Sequence, residues 1–187
     1  MRKIPFDPKD RAELIEKALQ KGILLNTQDE KFNSMVIGWG ALGITWRRPT
    51  FKVYVREGRY TRSALDRTRE FTVSIPSGPV DPQIHYICGK KSGRDIDKAK
   101  EAHLTLCEPE TVCSPGILEY PLTLECRVLF SGVLRKEELS EEVRTACYPG
   151  TRDSSHAGAN SDDHIMYIGE IVNAYVLEPD PPVRGLE

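Results

Sequence analysis

The chain has 187 residues, with 26 basic and 28 acidic side chains and a formal net charge of -2. That length allows one domain with a substantial core, and the balanced charge excludes the positive excess that nonspecific nucleic-acid binding requires. No stretch reaches the roughly 18 apolar residues of a membrane span and "MRKIPFDPKDR" lacks the apolar run of a secretory signal, so a soluble, cytoplasmic protein with no nucleic-acid or membrane partner is expected.

In chain order, Asp7 and Pro8 ahead of "KDRAELIEKALQKG" predict a capped helix, with Asp7 as N-cap, Pro8 in the first turn and Gly22 as a left-handed stop. Ala12, Ile15, Ala18 and Leu19 recur at helical spacing. Residues 1–28 therefore read as a helix and lead-in strand lying on a main body. Strand signals then dominate: "GILLNTQ", "NSMVIGWGALGITW", "TFKVYVR", "EFTVSIP", "LTLECRVLFSGVL" and "HIMYIGEIVNAYVL" are rich in β-branched and aromatic residues. Near-continuous apolar runs in several of them predict cover on both faces. Short helices are expected over "YTRSALDRTR", "SGRDIDKAKEAH" and "KEELSEEVRTA". With no regular strand-helix-strand rhythm, the pattern predicts a mainly β fold, a closed or split barrel with short peripheral helices. Residues 29–178 form that barrel domain. "YPGTRDSSHAGANSDDH" reads as a long polar loop, and residues 179–187 as a tail.

The 5 cysteines are an odd number, with no Cys-x-x-Cys pair, which predicts buried free thiols rather than disulfides or a zinc knuckle. His156 and His164 are separated by a loop without firm third ligands, so no metal site is expected.

Four segments carry candidate chemistry. In "VREGRYTRSAL", Arg56 and Arg59 precede a helix beginning at Tyr60 or Thr61, whose free amides and positive dipole end suit a phosphate. The Thr61 hydroxyl serves either as N-cap or as a donor to the anion, and the competing reading pairs the arginines with Glu57 or Asp66. In "CGKKSGRDIDK", Ser92 and Asp95 resemble a capping arrangement that opens a helix through Ala102, crowded by Lys90, Lys91, Arg94 and Lys98. The alternative there is a solvated, capped surface helix. In "NSMVIGWGALGITW", Gly38, Gly40 and Gly43 around Trp39 mark either a platform for a planar ring or, the reading that spacing favours, a barrel bend. In "DDHIMYIGEIV", His164 is a proton donor, a ligand contact, a metal ligand or a structural hydrogen-bonding residue, and Glu170 needs a partner if buried.

The order of "NSMVIGWGALGITWRRPTFKVYVREGRYT", "EFTVSIP", "CGKKSGRDIDK", "LECRV" and "DDHIMYIGEIV" resembles the flavin reductase-like family, which includes flavoredoxin, from about Asn33 to Tyr175. The resemblance implies an FMN-binding split β-barrel acting as a homodimer. It also implies that Met35, Val36, Ile37, Gly38 and Trp39 lie along the isoalloxazine, that Arg56, Arg59, Tyr60 and Thr61 meet the phosphate, and that Ser92, Gly93 and Lys98 complete the grip. His164 would orient a donor or buffer a proton. Electrons would come from NADH, NADPH or a redox protein and pass through FMN to flavin or another acceptor. Two further readings stay open: a flavoredoxin-type carrier without efficient nicotinamide turnover, and a split barrel for another planar ligand such as haem or pyridoxal phosphate. Two departures are expected to matter: Val36 replaces a hydroxyl residue common in the family, and the loop over 149–161 is long.

Overall fold

The computed structural model describes residues 1–150 and 161–180. An Asp7-capped 3-10 turn (Pro8–Arg11) leads into α1 (Ala12–Lys21), and Gly22 ends it at φ 99, a backbone region open mainly to glycine. Ile15 and Ala18 are the buried stripe of α1. The strands are β1 (Arg2–Pro5), β2 (Ile23–Gln28), β3 (Phe32–Ile37), β4 (Gly40–Thr45), β5 (Arg48–Arg56), β6 (Glu70–Ile75), the short pair β7 (Leu106–Cys107) and β8 (Gly116–Ile117), β9 (Leu122–Leu134) and β10 (His164–Glu178). Helices α2 (Tyr60–Thr68), α3 (Pro82–Lys90), α4 (Lys98–Glu101) and α5 (Glu141–Cys147) lie between them.

One antiparallel sheet runs β3-β2-β6-β9-β10-β5-β4, and β1 extends it on the C-terminal half of β10. Its two edge strands are consecutive in the chain, joined only by Gly38 and Trp39. Laid flat, seven strands would hold those edges roughly 29 Å apart, whereas the three Cα steps from Ile37 to Gly40 reach at most about 11 Å. The sheet must therefore curl until its edges approach, leaving an unpaired seam between β3 and β4. Close packing of main chain on main chain supports the turn there: a Cβ on Gly40 would meet the Lys52 carbonyl oxygen at 2.7 Å.

The curled sheet encloses Ile23, Leu25, Phe51, Val53, Phe71, Val73, Leu124 and Tyr167, all fully buried, with α1 plugging one side. A second cluster, Leu24, Ile84, Ile87, Cys88, Leu104, Ile117 and Tyr120, covers the other face of β2. This is the two-faced cover that the continuous apolar runs predict. A buried polar stripe crosses the same outer face. Asn26 donates to Thr72 at 3.1 Å and to Ser74 at 2.9 Å, while Glu125 accepts from the Glu110 and Thr111 amides, the Thr111 hydroxyl and Tyr175. Burial pushes the Glu125 carboxyl up, but those hydrogen bonds outweigh it and hold it below the usual carboxylate range.

Several expectations need correcting. Residues 92–97 are not helical: the Asp95 and Ile96 amides both donate to the Ser92 carbonyl in a tight turn, and α4 starts only at Lys98, capped by Asp97. Helix α3, unpredicted, has the same Asp-Pro start as the first helical segment. The stretch 33–46 does form two strands, β3 and β4, but they do not pair with each other. Of the free cysteines, Cys88, Cys107 and Cys126 are buried as expected, but Cys113 is exposed and Cys147 half-buried. Glu170 does have its partner, accepting from Arg48 Nη1 at 2.8 and 2.9 Å. The long loop falls mostly on 151–160, and the tail on 181–187; these segments, with His156, lie outside the described residues. Among the described residues no helix is long and apolar enough to cross a membrane.

Candidate functional site

The free edge of β3 is the spine of the site. In an antiparallel pair, successive residues turn their main-chain groups alternately toward the partner and away from it. The Ser34 carbonyl accepts from Lys98 Nζ at 2.7 Å, away from β2. The same parity turns the amide and carbonyl of Val36 outward along the seam. Its isopropyl group instead packs near Gly89 of α3, where a glycine Cβ would stand 3.4 Å from it. A strand edge that keeps its main chain available beside a cleft is equipped to pair with the polar rim of a flat heterocycle.

At one end of this edge is a cleft of about 320 Å³, lined by Asn33, Arg59, Thr61, Gly93, Arg94 and Lys98 among others. Arg59 occupies the N-cap position of α2 without capping it through its side chain, so the first-turn amides remain uncapped by that route. Thr61, almost wholly buried, accepts from Asn33 Nδ2 at 2.8 Å, leaving its hydroxyl proton to donate. Ser92 Oγ accepts from the Arg94 amide, shaping the facing turn. Gly93 is required there: a Cβ would lie 2.1 Å from Asn33 Oδ1 and 2.8 Å from the Tyr60 ring. Tyr60 is flanked by Arg94 and Lys31, at 5.6 and 5.4 Å from its ring centre. Burial lowers the pKa of Arg59, as does the neighbouring Arg56 charge. Lys98, 4 % exposed, donates to the Ser34 and Cys88 carbonyls. Burial pulls its pKa down to about 8, with Cys88 opposing and Arg59 assisting that shift.

Met35, Val36 and Arg59 also border a second hollow of about 220 Å³, lined further by Ile37, Gly38, Trp39, Tyr54, Arg56 and His164. Trp39 lies 4.8 Å from the His164 ring and 5.9 Å from Tyr148, centre to centre. Tyr148 stays protonated, because burial pushes its phenol up to about 12, and its hydroxyl is 2.8 Å from His164 Nδ1. That contact ties the imidazole to the Tyr148 hydroxyl through Nδ1. Burial, then the positive charge of Arg56, pull the His164 pKa down to about 4, so the ring is neutral at pH 7.

The structure thus gathers the residues singled out in the sequence around two adjoining hollows that share Met35, Val36 and Arg59, with one redistribution. Arg59, Tyr60, Thr61, Ser92, Gly93 and Lys98 meet at the cationic end, while Arg56, paired with Asp162 at 3.3 Å, sits at the Trp39 end beside His164. Sequence reading missed Asn33, Asp162 and Tyr148. The adjacent Asp162-Asp163-His164 run was the available signal for Asp162; nothing local marked Tyr148, which reaches His164 only through the fold.

The residues present fit a phosphorylated planar cofactor. Asn33 Oδ1, in the cleft wall, is buried without a hydrogen-bond partner among the described residues. Cations and turn amides mark one end, and main chain and an aromatic ring mark the other. Comparison with known proteins agrees in fold. Residues 18–183 match the flavin reductase like domain. The chain belongs to that family. It is 27% identical over 144 residues to an uncharacterized protein of Archaeoglobus fulgidus, an alignment covering 77% of this chain and 65% of that one. The chain thus spans just under two thirds of that relative's length. Among solved structures it resembles flavoredoxin from Methanosarcina acetivorans, with TM-score 0.58, 24% identity and coverage of 84% of this chain and 68% of that one. A split barrel domain protein of Shewanella frigidimarina aligns with TM-score 0.61 and 18% identity, over 92% of this chain and 76% of that one. The curled sheet with its open seam is a split β-barrel.

Proposed function

We propose that the chain binds FMN along the open edge of β3 and works as an FMN-dependent oxidoreductase, passing electrons from NADH, NADPH or a redox protein to flavin or another acceptor. The observation that carries this reading is the shared wall: the cationic cleft and the Trp39 hollow both border Met35, Val36 and Arg59, along the unpaired edge of β3. Bound FMN would supply hydride and electron chemistry at its ring. The chain's own residues do the rest. Arg59, Lys98, the Ser92–Gly93 turn and the α2 amides bind the phosphate end by charge and forked donors. Val36 and Gly38 meet the ring edge through main chain. Trp39 lies against His164, and neutral His164 is held in the cleft wall by Tyr148. The homodimer implied by the family has apolar surface available on the β4–β5 hairpin, where Ile44 and Trp46 are largely exposed.

The test is a titration of purified protein with FMN and with riboflavin, for wild type and Arg59→Ala. A lost charge-assisted contact costs about 1.5–3 kcal/mol, so FMN affinity should fall roughly 10- to 150-fold while riboflavin affinity stays nearly constant. Equal losses for both ligands would make Arg59 a structural residue and remove the phosphate assignment. Anaerobic addition of each nicotinamide then separates a reductase from a flavoredoxin-type carrier, which would be reduced by a redox protein and by neither nicotinamide. The absorption spectrum excludes haem or pyridoxal phosphate as the native ligand if flavin bands appear.

A further inference from the structure

Gly38, Trp39 and Tyr54 border two hollows at once: the Trp39 end of the cleft described above, and a separate one of about 480 Å³. The second lies between α1, the start of β4, the end of β9 and α5. Its walls are Leu19, Leu134, Leu139, Val143, Trp39 and Tyr148. The residue chemistry of the two hollows is opposed. Arg59, Lys91, Arg94 and Lys98 surround the anion end of the cleft, whereas the lining of the second hollow holds, among the described residues, no lysine or arginine and one carboxylate, Glu16.

We infer that this hollow binds an uncharged, flat molecule of one or two rings, of the quinone class. Its volume lies within the span of small-molecule sites, roughly 300–1,000 Å³, and suits a small ring system. Three aromatic side chains, Trp39, Tyr54 and Tyr148, offer faces for stacking. A dinucleotide is disfavoured here, because its pyrophosphate would meet Glu16 and find no lysine or arginine among the described lining residues. Position supplies the second argument. The occupant would touch Trp39, the same side chain that borders the proposed flavin cleft, so an electron acceptor held there stands next to the ring. That consequence rests on the FMN reading; the binding itself does not.

The test uses duroquinone, whose four non-carbonyl ring carbons are all methylated, which disfavours arylation of the nearby Cys147 thiol. The chain has 2 tryptophans, so a Trp46→Phe background leaves Trp39 as the fluorescent reporter. Duroquinone is titrated into the full chain with and without FMN, and binding heat is measured in parallel. Saturable quenching of Trp39 is expected. Val143→Asp, at an exposed wall position, should weaken it about tenfold by placing a charge in the apolar lining, while FMN affinity and the circular dichroism spectrum stay unchanged. Absence of saturable binding, or an unaltered affinity in Val143→Asp, overturns the inference. Displacement of the quinone by ADP-ribose overturns it too, assigning the hollow to a dinucleotide. If FMN fails to bind while the quinone binds and responds to Val143→Asp, the flavin reading falls and this site stands.

Discussion

Lys98 is a buried cation whose hydrogen-bond partners are main-chain carbonyls of Ser34 and Cys88, not a carboxylate. Its folded pKa, about 8, lies below the ordinary lysine value of 10.5. A negatively charged ligand would favour the ammonium and raise that pKa again. FMN affinity is therefore expected to decline as pH rises above about 8, and calorimetry near pH 8 to 9 in buffers of different ionisation enthalpy should register proton uptake on binding. Lys98→Met should weaken FMN binding at neutral pH and flatten that alkaline decline. His164 acts at the acid end. Its folded pKa of about 4 lies below the ordinary 6.5, so the unfolded chain takes up a proton first as pH falls. Stability should be fully present above about pH 6.5 and be lost progressively toward pH 4, at no more than about 1.4 kcal/mol for each pH step of one across that window. Urea melts across that range check this, and His164→Asn should remove this component of the acid loss.

Among the elements, the 92–97 turn separates what is legible in the sequence from what is not. Ser92, Gly93 and Lys98 are marked there by the density of cations and glycine around them. The turn itself is not, because Ser-x-x-Asp spacing cannot distinguish a helix cap from a tight turn that reuses the same carbonyl. Gly93 tests the turn: Gly93→Ala would drive a methyl group into Asn33 Oδ1, which is 2.1 Å from the Cβ position. Asn33 would have to leave its bond to Thr61, so FMN affinity should fall at least tenfold by titration, with a smaller change in melting temperature. The strands are legible because β-branched residues alternate or run continuously. Helix α3 is hidden by flanking Gly and Pro, although Asp81-Pro82 repeats the Asp7-Pro8 start.

For the whole molecule, the curled sheet follows from connectivity that no local pattern contains. Nothing in "VIGWGA" says that its two halves become opposite edges of one sheet. The pairing of β10 with β5, β9 and β1 decides that. The outer polar stripe is another product of long-range register, in which Asn26 faces Thr72 and Thr72 faces Glu125. Glu125→Ala would strand two part-buried amides and a buried tyrosine hydroxyl, so a loss on the order of 3 kcal/mol in urea unfolding is expected, without loss of FMN binding in the protein that remains folded. The dimer reading is tested at the same scale. Ile44→Asp with Trp46→Asp should move the sedimentation coefficient from dimer to monomer, since both side chains stand largely in solvent on one hairpin.

The seam between β3 and β4 has a final consequence. A coenzyme lodged there would act as a missing rung, borrowing the hydrogen-bonding groups that another strand would otherwise claim. Amide deuterium uptake at Val36 and Gly38 should then slow sharply on loading, and proteases should cut the loaded form more reluctantly. In a cell starved of riboflavin, the same chain would be cleared sooner.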